Sequence, residues 1–173
     1  MYSQITEQEV KQKVDAALAE DSSTPVSTMA EQLSLSEGAI TLALPEEMMA
    51  RVSGEHAQAI LEQLPSWGKV TTIVHSFGSI FEAKANFPKG KVAHGYYNLM
   101  GREGELHGHL KLDLIEHIAF VSKPFRGMES HYIGFFNGQG NCVFKVYVGR
   151  DNKRQLLTEQ VDAFKQMKKE FAA

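Results

Sequence analysis

With only one cysteine, Cys142, in 173 residues, the chain lacks several kinds of chemistry at once. It has no pair for an internal disulfide, no thiolate cluster for a metal, and no C-x-x-C-H motif to tether a cofactor covalently. Such sparing use of cysteine suits a reducing compartment. Long apolar runs are also missing, since no stretch approaches the roughly 20 residues needed to cross a bilayer. The opening segment MYSQITEQEVKQKVDAALAEDSS has no apolar core of the kind a signal peptide requires, so the expected location is cytoplasmic. There is no excess of positive charge, because 18 Lys and Arg face 21 Asp and Glu, for a net charge of −3. General attraction to nucleic acid or anionic lipid is therefore not expected, and neither partner is assigned. The sequence contains no G-x-x-x-x-G-K-[ST], no G-x-S-x-G and no H-E-x-x-H. Gly138 and Gly140 begin a G-x-G, but Val143 stands where a dinucleotide fingerprint needs its third glycine.

What remains is the composition of a globular protein, 43% hydrophobic and 23% charged, of a length suited to one domain spanning 1–173. Thr6 followed by Glu9 forms a capping-box signature, and Val10, Val14, Ala17 and Leu18 then recur at helical spacing, predicting a helix that ends near Glu20. After Pro25 two short helices are expected, broken around Ser34 with a second cap at Ser36. This pair resembles a helix-turn-helix, but no Lys or Arg lies between Lys13 and Arg51, so it has nothing cationic to meet phosphates. It reads better as a cap over a sheet. Ser53 is expected to cap a fourth helix carrying Ala57, Ile60, Leu61 and Leu64.

From Trp67 onward the apolar spacing becomes alternating and turn residues recur. Strands are predicted near 69–77, 79–86, 92–100, 105–113, 115–122, 130–137 and 141–148, joined by short connections that imply antiparallel neighbours. Asp151 or Asn152 is expected to cap a last helix bearing Leu156, Leu157, Val161, Phe164, Met167 and Phe171. The fold class is α+β: N-terminal helices over 1–64, an antiparallel β-meander over 65–150, and a C-terminal helix over 151–173 packed on the sheet.

The candidate functional residues are histidines. Four of the seven fall between His94 and His117. Leu106, Gly108, Leu110, Leu112 and Leu114 alternate with His107, His109, Lys111 and Asp113, which places His107 and His109 together on the face opposite the leucines. His75 shares a strand face with Ile73 and Phe77, so its imidazole projects from an otherwise apolar surface. It is either a core histidine satisfied by a carbonyl or a ligand. His94, in HGYYN, shares a face with Tyr96 and either lines the same surface or supports it by hydrogen bonding. An apolar, aromatic surface carrying one or two imidazoles suits a large flat ligand whose metal takes a histidine, and haem meets that description. Lys111, Lys123, Arg126, Arg150 and Arg154 lie near enough in sequence to meet its propionates, although each taken alone reads as a solvated charge. A zinc site built from His94, His107 and His109 is the metal alternative. His56, His117 and His131 read as structural or solvated, and Cys142, alternating with Phe144, Val146 and Val148, as a small core residue.

The ordered series W67-G-K-V-T-T-I-V-H75, H94-G-Y-Y-N-L, G108-H109-L-K, K123-P-F-R-G-M128, F135-F-N, K145-V-Y-V-G-R-D151 and R154-Q-L-L-T-E-Q160-V-D-A-F164 resembles the HutX/ChuX family of cytosolic haem-utilisation carriers. The likeness runs from about residue 65 to residue 166. It implies a homodimeric haem-binding protein that passes imported haem, held without covalent attachment, to a haem-degrading enzyme. It also implies that His75 and His109 bind the haem iron; His107 stands outside the family pattern and reads as a third, weaker contact. Larger, internally duplicated relatives include some credited with haem breakdown, which makes enzymatic haem degradation the alternative function.

Overall fold

A computed structural model describes residues 5–172. The first four residues of the segment read for a signal peptide, and Ala173 at the end of the expected last helix, lie outside the described residues. Helix α1 spans Glu7–Glu20, and both halves of the Thr6/Glu9 capping box are formed. Helices α2 (Val26–Leu33) and α3 (Glu37–Leu42) are separated by Ser34 in the left-handed conformation, with Ser36 capping α3. Where sequence reasoning saw only helices before residue 64, a strand β1 (Met49–Ser53) intervenes. Ser53 then caps a single 3₁₀ turn, Gly54–His56, that leads into α4 (Ala57–Gln63).

The remaining strands are β2 (Lys69–Ser76), β3 (Ser79–Asn86), β4 (Gly90–Ala93), β5 (Tyr96–Leu99), β6 (Gly108–Leu110), β7 (Ile115–Ser122), β8 (His131–Asn137) and β9 (Cys142–Tyr147). They form two antiparallel sheets and not one meander: a six-stranded sheet in the order β1-β7-β8-β9-β2-β3, and a three-stranded sheet β4-β5-β6. The expected single strand over 92–100 is the hairpin β4–β5, because His94 and Gly95 both adopt positive φ, as a two-residue hairpin turn requires. That tight turn leaves β5 only four residues long. β6 can therefore pair over just Gly108–Leu110, and the chain enters a 3₁₀ turn at Leu112–Leu114 instead of continuing the expected strand. Phe77 likewise sits in a two-residue turn with Gly78, fully exposed, and not on the face of His75.

Alternation along the six-stranded sheet divides the core in two. Ile118, Phe120, Ile133, Phe135, Phe144 and Val146 point to one side, where they meet α4, the inner residues Tyr97, Leu99 and Leu110 of the small sheet, and the last helix α5 (Thr158–Phe171). Ala119, Val121, Tyr132 and Phe136 point to the other, beneath α1–α3. The last helix begins later than expected. Asp151 does not cap it but accepts from the backbone N–H groups of Lys153 and Gln155 in a turn. Buried Gln160 fixes α5 to the sheet, donating to the carbonyls of Trp67 and Lys69 and accepting from the N–H of Gly149.

Helix α3 is pinned at its start. Gly38 N–H donates to the Gly140 carbonyl in the β8–β9 turn at 2.8 Å, and a Cβ on Gly38 would lie 2.8 Å from the Gly140 Cα. With Gly38, Ile40 and Thr41 buried, this helix is part of the packing and not a free recognition surface.

Candidate functional site

Helices α1–α3 cover β1, β7 and β8 but leave bare the same face of β2, β3 and part of β9. The register Thr71↔Lys84, Ile73↔Glu82 and His75↔Ile80, with Thr71↔Tyr147 and Ile73↔Lys145, puts all these side chains on that bare face. The start of α2 and the loop carrying Lys123–Phe125 wall it in. Around His75 lies a cavity of about 180 Å³, lined also by Ile73, Ile80, Phe125, Tyr132 and Tyr147. Sharing Ile73, Glu82, Phe125, Ser130 and Tyr147 with it is a wider groove of about 590 Å³, which ends at Lys69, Lys84, Arg150, Asp151 and Arg154. The groove is thus apolar and aromatic at the histidine and largely cationic at its far end.

His75 is half-buried, and its Nε2 is shielded from solvent with no hydrogen-bond partner. Burial, then the Lys145 ammonium, pushes its pKa below the ordinary histidine value, against a smaller pull from Glu37. The imidazole is therefore neutral, with a free lone pair, at physiological pH. Lys145 is buried and paired with the Glu37 carboxylate at the start of α3. Burial opposes its charge, but Tyr132, whose ring it caps at 4.9 Å, and Glu37 together hold its pKa above the usual lysine value. Cys142 is inert as a nucleophile, its thiol pushed up to about 12 by burial.

His109 stands elsewhere, on the outer face of the small sheet, directly opposite Asn98. Its Nδ1 lies 2.6 Å from Asn98 Oδ1, and its ring meets Tyr96 edge-on at 5.9 Å. Lys111 reaches over the same Tyr96 ring and donates to the Gly95 carbonyl at 3.1 Å. Tyr97, Leu99 and Leu110 on the other face of this sheet share a core with Val70 and Val74, which point away from His75. The two imidazoles therefore project outward from a common core, from different sheets, and do not converge within one chain.

The other expected site residues fall apart further. His94 is exposed at the β4–β5 turn and does not share a strand face with Tyr96; His107 is exposed in the loop before β6 and does not extend the face of His109. The zinc trio His94, His107 and His109 is not assembled. Among the described residues, the grouping of three ligand atoms close enough to share an ion is Glu37, His75 and Cys142. There the Lys145 ammonium already supplies the positive charge. Of the proposed propionate contacts, Lys123 is buried and donates to the carbonyls of Ser22 and Thr24. Arg150 lines the groove while donating to the carbonyls of Glu129 and Arg154. Sequence reasoning missed Lys69, Lys84, Tyr147 and Asn98. Lys69 and Lys84 become visible once the two-residue turn at Phe77–Gly78 is used to set the β2–β3 register, whereas Tyr147 joins them only through the long-range pairing of β2 with β9.

Residues 50–167 match the sequence model of the family described as haem utilisation ChuX/HutX. Over 165 residues, 95% of this chain and 86% of the relative, the sequence is 59% identical to the intracellular heme transport protein HutX of Vibrio cholerae serotype O1. A crystal structure of ChuX superposes with a TM-score of 0.83 at 34% identity, covering 91% of this chain and 96% of that one. The heme-degrading enzyme ChuS of Escherichia coli O157:H7 shares the fold at 16% identity with a TM-score of 0.78. There the likeness covers 97% of this chain but 48% of the larger one.

Proposed function

Because the chain belongs to the haem utilisation ChuX/HutX family, we propose that it is an intracellular haem carrier that binds haem without covalent attachment and passes it to a haem-degrading enzyme. The observation that carries the reading is His75: a neutral imidazole with an orphaned, shielded nitrogen, set in an apolar groove. A buried nitrogen without a partner is costly, and a metal ion would satisfy it. The rest of the groove fits the same group. Ile73, Ile80, Phe125 and Tyr147 offer apolar and aromatic contact, while Lys69, Lys84 and Arg154 offer charge-assisted bonds to its two carboxylates. The groove of about 590 Å³ lies in the range of small-molecule sites, and the smaller cavity of about 180 Å³ at His75 shares its walls.

What this chain contributes is binding and release. His75 supplies a ligand kept unprotonated by its surroundings, the groove walls limit water, and the open side of the sheet leaves a route for exchange. His109 is the second ligand. Since the two imidazoles face away from their shared core, both can meet one iron only when His75 comes from one chain and His109 from another. A homodimer is supported by this arrangement. The cytosol is the proposed compartment, supported by the cysteine usage and by the intracellular relative. No helix among the described residues is long and apolar enough to cross a membrane.

The test is a haem titration followed by Soret absorbance for the wild type, His75→Ala, His109→Ala, the double variant and His117→Ala. Saturable binding that weakens in the first two, falls furthest in the double variant and is unchanged in His117→Ala is expected. A double variant that binds like the wild type would refute the site. With an electron donor and oxygen present, the carrier should return intact haem; an opened tetrapyrrole in the mass spectrum would establish degradation instead.

A further inference from the structure

We infer that Asn98 is the positioning residue for His109, fixing the imidazole as the tautomer that carries its proton on Nδ1 and leaves Nε2 bare for a metal. The inference rests on the reading of His109 as a haem ligand. Asn98 sits on β5, the central strand of the small sheet, between Lys91 on β4 and His109 on β6. Its amide nitrogen lies 3.0 Å from the Lys91 carbonyl, 3.1 Å from that of Ala93 and 3.2 Å from that of Tyr96. Three carbonyls accept and never donate, so they fix the amide with its NH₂ toward them. Oδ1 must then face His109, where it lies 2.6 Å from Nδ1. An amide oxygen can only accept. The proton therefore resides on Nδ1, and the network itself assigns the tautomer.

A histidine exposed to solvent and free of partners prefers the opposite tautomer, which would bury its Nε2 lone pair behind a proton. Asn98 removes that competition before any ligand arrives and holds the ring in one orientation. Partners of this kind on metal-ligating histidines raise ligand basicity, and their loss typically costs about 10- to 100-fold in affinity. On an open sheet face, where His109 has only the edge of Tyr96 beside its ring, this hydrogen bond supplies most of the orientation.

The first measurement uses the wild-type, ligand-free protein labelled with ¹⁵N, because it needs no variant to fold. Long-range ¹H–¹⁵N correlation should show His109 Nδ1 protonated and Nε2 unprotonated; the reverse pattern would overturn the inference. Asn98→Leu removes the acceptor and should shift His109 toward the solvent tautomer and weaken haem binding about tenfold or more. Asn98→Asp keeps an acceptor toward Nδ1 while losing the donors to the three carbonyls, so it should keep the tautomer and lower the ferric/ferrous midpoint potential of the loaded protein. If Asn98→Leu, still dispersed and folded by its amide spectrum, keeps the wild-type tautomer, Asn98 is not the lock. If the tautomer pattern is as stated but His109→Ala leaves both Soret band and potential unchanged, the ligand reading of His109 fails while the hydrogen-bond lock stands.

Discussion

Replacing Lys145 with methionine should destabilise the protein more than any other change at the groove that preserves volume. The Lys145 and Glu37 side chains are only 8% and 13% exposed, so neither charge has water to fall back on. Removing one partner of such a pair typically costs about 3–5 kcal/mol, since the remaining charge is left uncompensated. Glu37 lies in the first turn of α3, where the helix N-terminus offsets about 0.3–1 kcal/mol. A loss of about 3 kcal/mol is therefore expected. In urea unfolding with a slope of about 2 kcal/mol/M, the midpoint should fall by about 1.5 M with the slope unchanged. The charge-free double variant Glu37→Gln/Lys145→Met should recover part of that loss, because two neutral groups replace one stranded charge. A Lys145→Met protein within about 0.5 kcal/mol of the wild type, or a double variant that merely sums the two single losses, would refute the reasoning. It would mean that water reaches this pair.

His75 gives a pH prediction. Its folded pKa is lowered, so on acidification the unfolded chain takes up the proton first and stability falls with pH from about 6.5 downward. His75→Phe should flatten that part of a urea-midpoint profile against pH, and an unchanged slope would assign the acid lability to other groups. Gly38→Val should cost about 1–3 kcal/mol in thermal unfolding, because its side chain would press on backbone in the β8–β9 turn. Lys69→Glu/Lys84→Glu should weaken haem binding about tenfold or more, or about 1.4 kcal/mol, while leaving affinity for the propionate diester nearly unchanged. Equal losses for both ligands would place the carboxylates elsewhere.

Much of the frame was legible because local chemistry and tertiary demand agree. The Thr6/Glu9 box, the break at Ser34 and the strands over 79–86 and 115–122 all follow from signals within a few residues. The hairpin at His94–Gly95 escaped because histidine is a less common occupant of a positive-φ turn position than asparagine or aspartate. The leucine alternation over 106–114 was real but outlived its strand. Leu106, Leu110 and Leu112 do pack on the core, whereas Leu114 remains 61% exposed. β1, at five residues, was too short to register, and the pairing of β2 with β9 joins segments far apart in the chain. The face of His75 followed from period two. Its neighbours Glu37 and Lys145, from a helix and a distant strand, did not, and neither did the separation of His75 from His109. That separation depends on there being two sheets, which no local pattern announces.

Strand β3 ends the six-stranded sheet, with Ile80 and Phe81 exposed on its two faces and Phe77 at the turn before it. A strand in that position carries a row of main-chain donors and acceptors with no neighbour in its own chain, flanked by apolar side chains, and is a template for unwanted self-assembly. What interrupts the template is charge: Glu82 and Lys84, standing outward along the same strand. The groups that give the groove its polarity are therefore also the ones that keep one molecule from zipping to the next. An attempt to tune the groove by making these positions apolar would show itself first as turbidity.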